Sequence, residues 1–238
     1  MTVPATAPGR RHFQDELHDL EVHALGGLDI VIEQLDRTLE ALRHQDVELA
    51  TMVINDDDRI DGRYLEVHQG ILSLLARQSP VAGDLRLVAA LLHVIKHVER
   101  MGDQCVNIAK LLPLSGNDAP SHPEMLARLL EMGAHARSEV MQCKHAFANR
   151  DVALAEDLPR QDREINLINR EIFRLAIEIG DDADTREWAM SMTLVARCIE
   201  RIGDNAVDIG EHTAFVVTGL FREFSDASYA TPEPKSRS

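Results

Sequence analysis

Apolar residues recur along this chain at intervals of three and four, the spacing that gathers them on one face of an α-helix. Leu28, Ile32, Leu35, Leu39 and Leu42 mark one such face and predict a helix over 13–45. Val53, Ile60, Val67, Ile71 and Leu74 predict a second over 46–77, and Ser79-Pro80 then stops one helix and starts the next. The third, over 81–112, carries Val94, Val98, Met101, Cys105, Ile108 and Leu112, whose intervals alternate four and three as in a bundle seam. Pro113, Gly116, Pro120 and Pro123 then break the pattern. Three further helices are predicted over 123–149, 151–180 and 184–219. The last has the most regular seam: Val195, Ile199, Ile202, Ala206, Ile209, Thr213 and Val216. Pro159 falls inside the fifth, so a kink or a late helix start is expected there.

The two halves of this pattern match. Leu49-Ala50 followed by Asp57, Ile60 and Asp61 corresponds to Leu154-Ala155 followed by Asp162, Ile165 and Asn166. The third helix of each half carries Glu-Arg-x-Gly-Asp, as Glu99–Asp103 and again as Glu200–Asp204. The expected fold is all-α, two tandem three-helix bundles related by a pseudo-twofold repeat. Their expected spans are 12–113 and 123–220, with a linker at 114–122, a flexible N-terminus over 1–11 and a disordered tail over 221–238.

Composition agrees with helices. Hydrophobic residues make up 45% but aromatics only 4%, so the core is built from Leu, Ile, Val, Met and Ala. The net charge of −15 repels nucleic acid and anionic lipid, and suits cations and basic protein partners. Cys105, Cys143 and Cys198 form no Cys-x-x-Cys pair, which points to a reducing, intracellular setting. No signal-peptide pattern and no apolar run of spanning length is found, so a cytoplasmic protein without membrane insertion is expected.

The acidic residues change the picture most. Glu99 and Asp103 share one helix face, and Asn107 extends it; Glu200, Asp204 and Asp208 form the same stripe in the second half. If the second and third helices pair around a turn near residue 79, Asp57 comes level with Asp103 and Asp61 with Glu99, because a helix rises about 1.5 Å per residue. A turn near residue 182 brings Asp162 level with Asp204 and Asn166 with Glu200 in the same way. Such like charges repel, so neighbouring Arg100 and Arg201, solvent or a bound cation must offset them. An oxygen-only cluster suits magnesium, manganese, iron or zinc. Gly102 and Gly203 stand at equivalent helix-interior positions, each costing about 1 kcal/mol relative to Ala, and close helix approach is the natural compensation.

The twin Glu-Arg-x-Gly-Asp segments on repeated three-helix units resemble the PhoU family of phosphate-signalling proteins. Pro80-Val-Ala-Gly-Asp-Leu-Arg86 and His12-Phe13 before an amphipathic first helix resemble the same family, and the similarity runs from about residue 12 to 219. The resemblance implies a cytoplasmic regulator, commonly a homodimer. It would act between the phosphate ABC transporter with its ATPase and a phosphate-sensing histidine kinase, keeping the starvation response off when phosphate is ample. It also implies divalent or trivalent metal ions at paired Glu/Asp-x-x-x-Asp motifs: here Asp57 and Asp61 with Glu99 and Asp103, and Asp162 and Asn166 with Glu200 and Asp204. Asn107 and Asp208 are additional candidate ligands. Asn166 departs from the family pattern by offering an amide, so a weaker second site is expected.

Catalysis is not expected. None of the eleven histidines has Glu three residues before it, so a di-iron oxidase set is missing. No Gly-rich phosphate loop after a strand and no Ser-His-Asp set is found either. His93 and His97 lie four apart but on a line diverging from Glu99 and Asp103, and read as solvated or core-edge histidines. The alternative to a metal-binding regulator is a metal-free scaffold whose acidic stripes dock partner proteins.

Overall fold

The structure, a computed structural model, describes residues 8–112, 122–179 and 182–224. Eight helices occur among them: α1 Pro8–His44, α2 Val47–Asn55, α3 Asp58–Arg77, α4 Ala82–Leu111, α5 Pro123–Asn149, α6 Val152–Glu156, α7 Leu158–Glu178 and α8 Ala183–Thr218. No strand is found among the described residues. The first repeat consists of α1, the broken pair α2–α3, and α4; the second consists of α5, α6–α7 and α8.

The predicted six helices are therefore eight, because the middle helix of each repeat is broken. In the first repeat the break falls at Asp56 and Asp57, two members of a run of three aspartates. Asp56 closes α2 with its backbone N–H on the Met52 carbonyl, and its carboxylate pairs with Arg37 of α1. In the second repeat the break comes at Asp157, and α7 starts late with Pro159 in its first turn. A proline there loses no hydrogen bond, since the first N–H groups of a helix have no intrahelical partner.

Other boundaries shift as well. α1 begins at Pro8, so residues 8–11 of the expected flexible N-terminus are helical. Most of the expected linker lies outside the described residues; His122 caps α5, accepting from the Met125 N–H at 3.3 Å. Of the expected disordered tail, 221–224 lie against α8, and 225–238 fall outside the described residues. The Phe221 ring packs on His212 and Phe215, and the Phe224 N–H donates to Glu211 at 2.6 Å.

The repeats share one core. α4 packs along α8 and α1 along α5, so Val94, Val98 and Met101 join Val195, Ile199 and Ile202 in a single buried cluster. The second elements of both repeats start on the same device: Asp46 accepts from the Leu49 N–H at 2.9 Å, and Asp151 from the Leu154 N–H at 3.0 Å. Replacing either Asp46 or Asp151 by Ala is expected to cost about 1 kcal/mol. Thermal melts of the two variants should show small, similar decreases in Tm.

Candidate metal centres

Each acidic patch forms where the start of a broken middle helix crosses the centre of the last helix of its repeat. In the first, Asp57 precedes α3, Asp61 lies one turn inside it, and Glu99 and Asp103 face them from α4. Their charges are felt mutually. Partial burial pushes the Asp57 carboxyl above its ordinary value, and the charges of Asp61 and Asp103 push it further. Asp103 is raised by burial, then by Glu99 and Asp61. Of the pairs expected from helix rise, Asp57 and Asp103 feel each other's charge, and Asp103 feels Asp61 as well. Asn107 is exposed one turn further along α4.

The second patch lies deeper. Asp162 and Asn166 of α7 and Glu200 of α8 are buried, whereas Asp204 is exposed. The Asn166 amide donates to Asp162 at 2.5 Å. All four residues line a cleft of about 740 Å³ whose opposite wall carries His93, His97 and Arg100 of α4. Asp208 lines this cleft too, 3.5 Å from His97, whose ring nitrogen donates to Asn205 at 2.8 Å. Burial pushes His97 below its ordinary value and His212 down to about 3, so the His212 imidazole is neutral in ordinary buffers. His97 is accordingly a core-edge histidine holding α4 to α8.

The charge offset comes from residues the stripe pattern does not single out. Lys96 donates to Glu99 at 2.7 Å, and Arg197 donates to Glu200, each from three residues earlier on the same helix. Arg100 and Arg201 are exposed. The same position in each repeat thus supplies a cation to the Glu of the motif.

A second unforeseen pair comes from the first helix of each repeat. Gln34 of α1 lies under the first patch and Glu139 of α5 under the second, both buried. Neither Gln34 Oε1 nor either Glu139 oxygen has a hydrogen-bond partner. Burial pushes Glu139 up to about 9, and Asp162 and Asp204 add to the rise. One signal was available in the sequence: Glu139 interrupts the apolar line Met132, Ala136, Val140, Cys143 at a seam position. The glycines explain how these oxygens fit. A Cβ at Gly203 would lie 2.9 Å from Asp162 Oδ1 and 3.0 Å from both Glu139 Oε2 and Ile165 Cδ1. At Gly102 it would meet Ile60 Cδ1 at 2.7 Å and Gln34 Oε1 at 3.4 Å. Ile60 and Ile165 occupy equivalent places, so the internal register read from the sequence is the structural one.

The donor set fits an oxygen-ligated cation. It consists of carboxylates and amides, two of the carboxylates are raised by burial and by their neighbours' charge, and a buried acid without a hydrogen-bond partner lies beneath one patch. Sulfur is not offered: burial pushes the Cys105 thiol up to about 12 and also raises Cys143 and Cys198. Among the described residues no three His, Cys, Asp or Glu side chains already converge on one point. A cation held at either patch would have to draw in exposed side chains, of which Asp61 and Asp103 are examples.

Two stretches of the chain, residues 27–112 and 129–213, match the sequence profile of the PhoU domain. They coincide with the two repeats and contain both patches. A phosphate-specific transport system accessory protein PhoU homolog 1 from Thermotoga maritima is 32% identical over 210 residues, covering 87% of this chain and 90% of that protein. The corresponding homolog of Zymomonas mobilis is 31% identical over 210 residues, covering 87% of each. Among solved structures, PhoU of Pseudomonas aeruginosa superposes with a TM-score of 0.79 at 28% identity, covering 87% of this chain and all of that one. The phosphate transport system regulatory protein PhoU of Streptococcus pneumoniae gives 0.78 at 27% identity, over 88% of this chain and 99% of that one. This chain belongs to the PhoU family.

Proposed function

We propose that this protein is a non-enzymatic regulator of phosphate uptake and phosphate signalling whose acidic patches hold divalent or trivalent metal ions. It acts in the cytoplasm as a homodimer, between the ATPase of the phosphate ABC transporter and a phosphate-sensing histidine kinase, and represses the starvation response when phosphate is ample. The observation that carries this reading is the coincidence of two PhoU-domain matches with two carboxylate patches at equivalent positions of the repeat. Relatives of near-equal length named as accessory proteins of phosphate-specific transport support the role. No helix among the described residues is long and apolar enough to cross a membrane, in keeping with a regulator that reaches the transporter through protein contacts.

In this reading Asp57, Asp61, Glu99 and Asp103 hold one site, and Asp162, Asn166, Glu200 and Asp204 the other. Asn107 would extend the first. Asp208, whose carboxylate lies 3.5 Å from His97, would extend the second. Bound cations would neutralise the mutual repulsion within each patch. They would also tie the broken middle helix to the last helix of its repeat, which makes metal loading a stabilising event.

Deleting the gene in its own organism tests the regulatory role. Starvation-response transcripts are expected to be high in phosphate-rich medium and to fall when the gene is restored. Unchanged transcripts, with no second copy of the gene present, would remove the role. A metal-free docking scaffold is the second reading, favoured in that no three such ligands converge among the described residues. Elemental analysis separates the two.

A further inference from the structure

We infer that Glu139 is a ligand of the second metal site, supplying from α5 the carboxylate that Asn166 does not supply from α7. This rests on the metal reading proposed above and assigns a residue outside the paired motifs. Glu139 is 0% exposed, and neither of its oxygens has a hydrogen-bond partner. A buried acid in that state is unfavourable whether it is ionised or merely unpaired. The charges that bear on it, Asp162 and Asp204, have its own sign, so nothing in their set offsets it. What would offset it is a cation at the patch above.

The position of its oxygens supports that role. Measured from the point a Cβ would occupy on Gly203, Glu139 Oε2 lies at 3.0 Å and Asp162 Oδ1 at 2.9 Å. Two carboxylates from different helices thus converge on one spot of the α8 backbone, which is bare because residue 203 is glycine. Asp162 in turn lines the cleft with Asn166, Glu200 and Asp204. Glu139 does not line the cleft itself, but its Oε2 shares the Gly203 position with Asp162, which does.

The internal repeat gives an independent reason. The equivalent of Glu139 is Gln34, buried at the same depth with an oxygen 3.4 Å from the Gly102 Cβ position. The first patch therefore combines the carboxylates of Asp57, Asp61, Glu99 and Asp103 with the amide of Gln34. The second combines Asp162, Glu200, Asp204 and Glu139 with the amide of Asn166. The amide has moved from the first helix of one repeat to the middle helix of the other, and the formal charge of the two sets is equal. The Asn166 amide nitrogen already donates to Asp162, which leaves its oxygen to act as the neutral donor.

The test uses full-length, chelator-stripped protein in which the first patch is silenced by Asp61→Asn and Asp103→Asn, titrated with Mn²⁺ by calorimetry. In that background Glu139→Gln, nearly the same in shape, is expected to weaken Mn²⁺ binding roughly tenfold or more. Adding Asn166→Asp to it should restore most of the affinity, because the carboxylate then stands where the first repeat has one. Asn166→Asp alone, which leaves Glu139 in place, should tighten binding by less than about threefold, since one carboxylate already fills that role. Affinity unchanged in Glu139→Gln but abolished by Asp162→Asn or Asp204→Asn overturns the assignment of Glu139 and leaves the site standing. Tenfold tightening by Asn166→Asp alone would overturn it as well. If Asp162→Asn and Asp204→Asn change nothing either, the metal reading itself fails.

Discussion

Chelator-stripped protein carrying Glu139→Gln is expected to be more stable than its parent, with a gain that grows as pH rises. The folded chain holds the Glu139 proton up to about 9, against an ordinary value of 4.5. Between those limits the folded protein keeps a proton that the unfolded chain has released. Stability therefore falls as pH rises through this window, and the parent recovers it on acidification towards 4.5. The slope from this one group is at most about 1.4 kcal/mol per pH unit. Gln cannot ionise, so the variant lacks that slope. Near pH 5 parent and variant should melt together; near pH 8 the variant should be ahead by several kcal/mol at the upper bound. Denaturant melts at a series of pH values measure the difference directly. Parallel curves would mean that Glu139 is as well solvated in the folded chain as in the unfolded one.

The second large effect is expected at Gly203. Alanine normally favours a helix interior over glycine by about 1 kcal/mol, so the sign of Gly203→Ala depends on what the new methyl meets. It meets carboxylate oxygens of Asp162 and Glu139 and the end of Ile165, all closer than ordinary contact. Two of these belong to buried acids, and overpacking of this kind costs about 1–3 kcal/mol. A net loss of stability and weaker metal binding at the second patch are expected. Gly102→Ala is the informative comparison: there the new methyl meets Ile60 Cδ1 at 2.7 Å and Cγ2 at 3.2 Å, so it should lose stability through apolar packing while leaving metal binding at the second patch unchanged. Gly62→Ala, with nothing within 4 Å of the new methyl, should show the helix preference alone and stabilise the protein. Equal melting temperatures for the Gly62 and Gly203 variants would contradict this account of the packing.

Seam positions were legible in the sequence because burial imposes them. Val94, Val98 and Met101 on one helix and Val195, Ile199 and Ile202 on another had nowhere else to go, and all are buried. The register of the acidic pairs was legible for a related reason. Helix rise is constant enough that counting from a turn brings Asp103 beside Asp57 and Asp61. The breaks at Asp56–Asp57 and Asp157 were harder to see. Val53 and Ile60 keep their helical phase across the first gap, so the apolar pattern runs on while the backbone does not. Only Pro159 marked the second.

The site was half legible. A search for carboxylates four apart finds Glu99–Asp103 and Glu200–Asp204 but passes over a lone acid such as Glu139, whose meaning depends on which helix packs beneath the patch. Lys96 and Arg197 were missed similarly: a basic residue three before an acid is common on any helix face, and only its recurrence in both repeats makes it a feature. The asymmetry read from Asn166 is altered by the same packing, which places an acid under the patch that carries the amide.

Both repeats of this PhoU-family chain are proposed to carry metal. Elemental analysis of full-length protein purified without chelator, beside the variant with Asp61, Asp103, Asp162 and Asp204 all changed to Asn, tests it most directly. Iron, zinc, manganese or magnesium is expected in the parent, with its loss in the variant and a lower Tm for the parent after EDTA. Parent protein free of bound metal, with a melting temperature indifferent to EDTA, would contradict it and leave the acidic patches as docking surfaces.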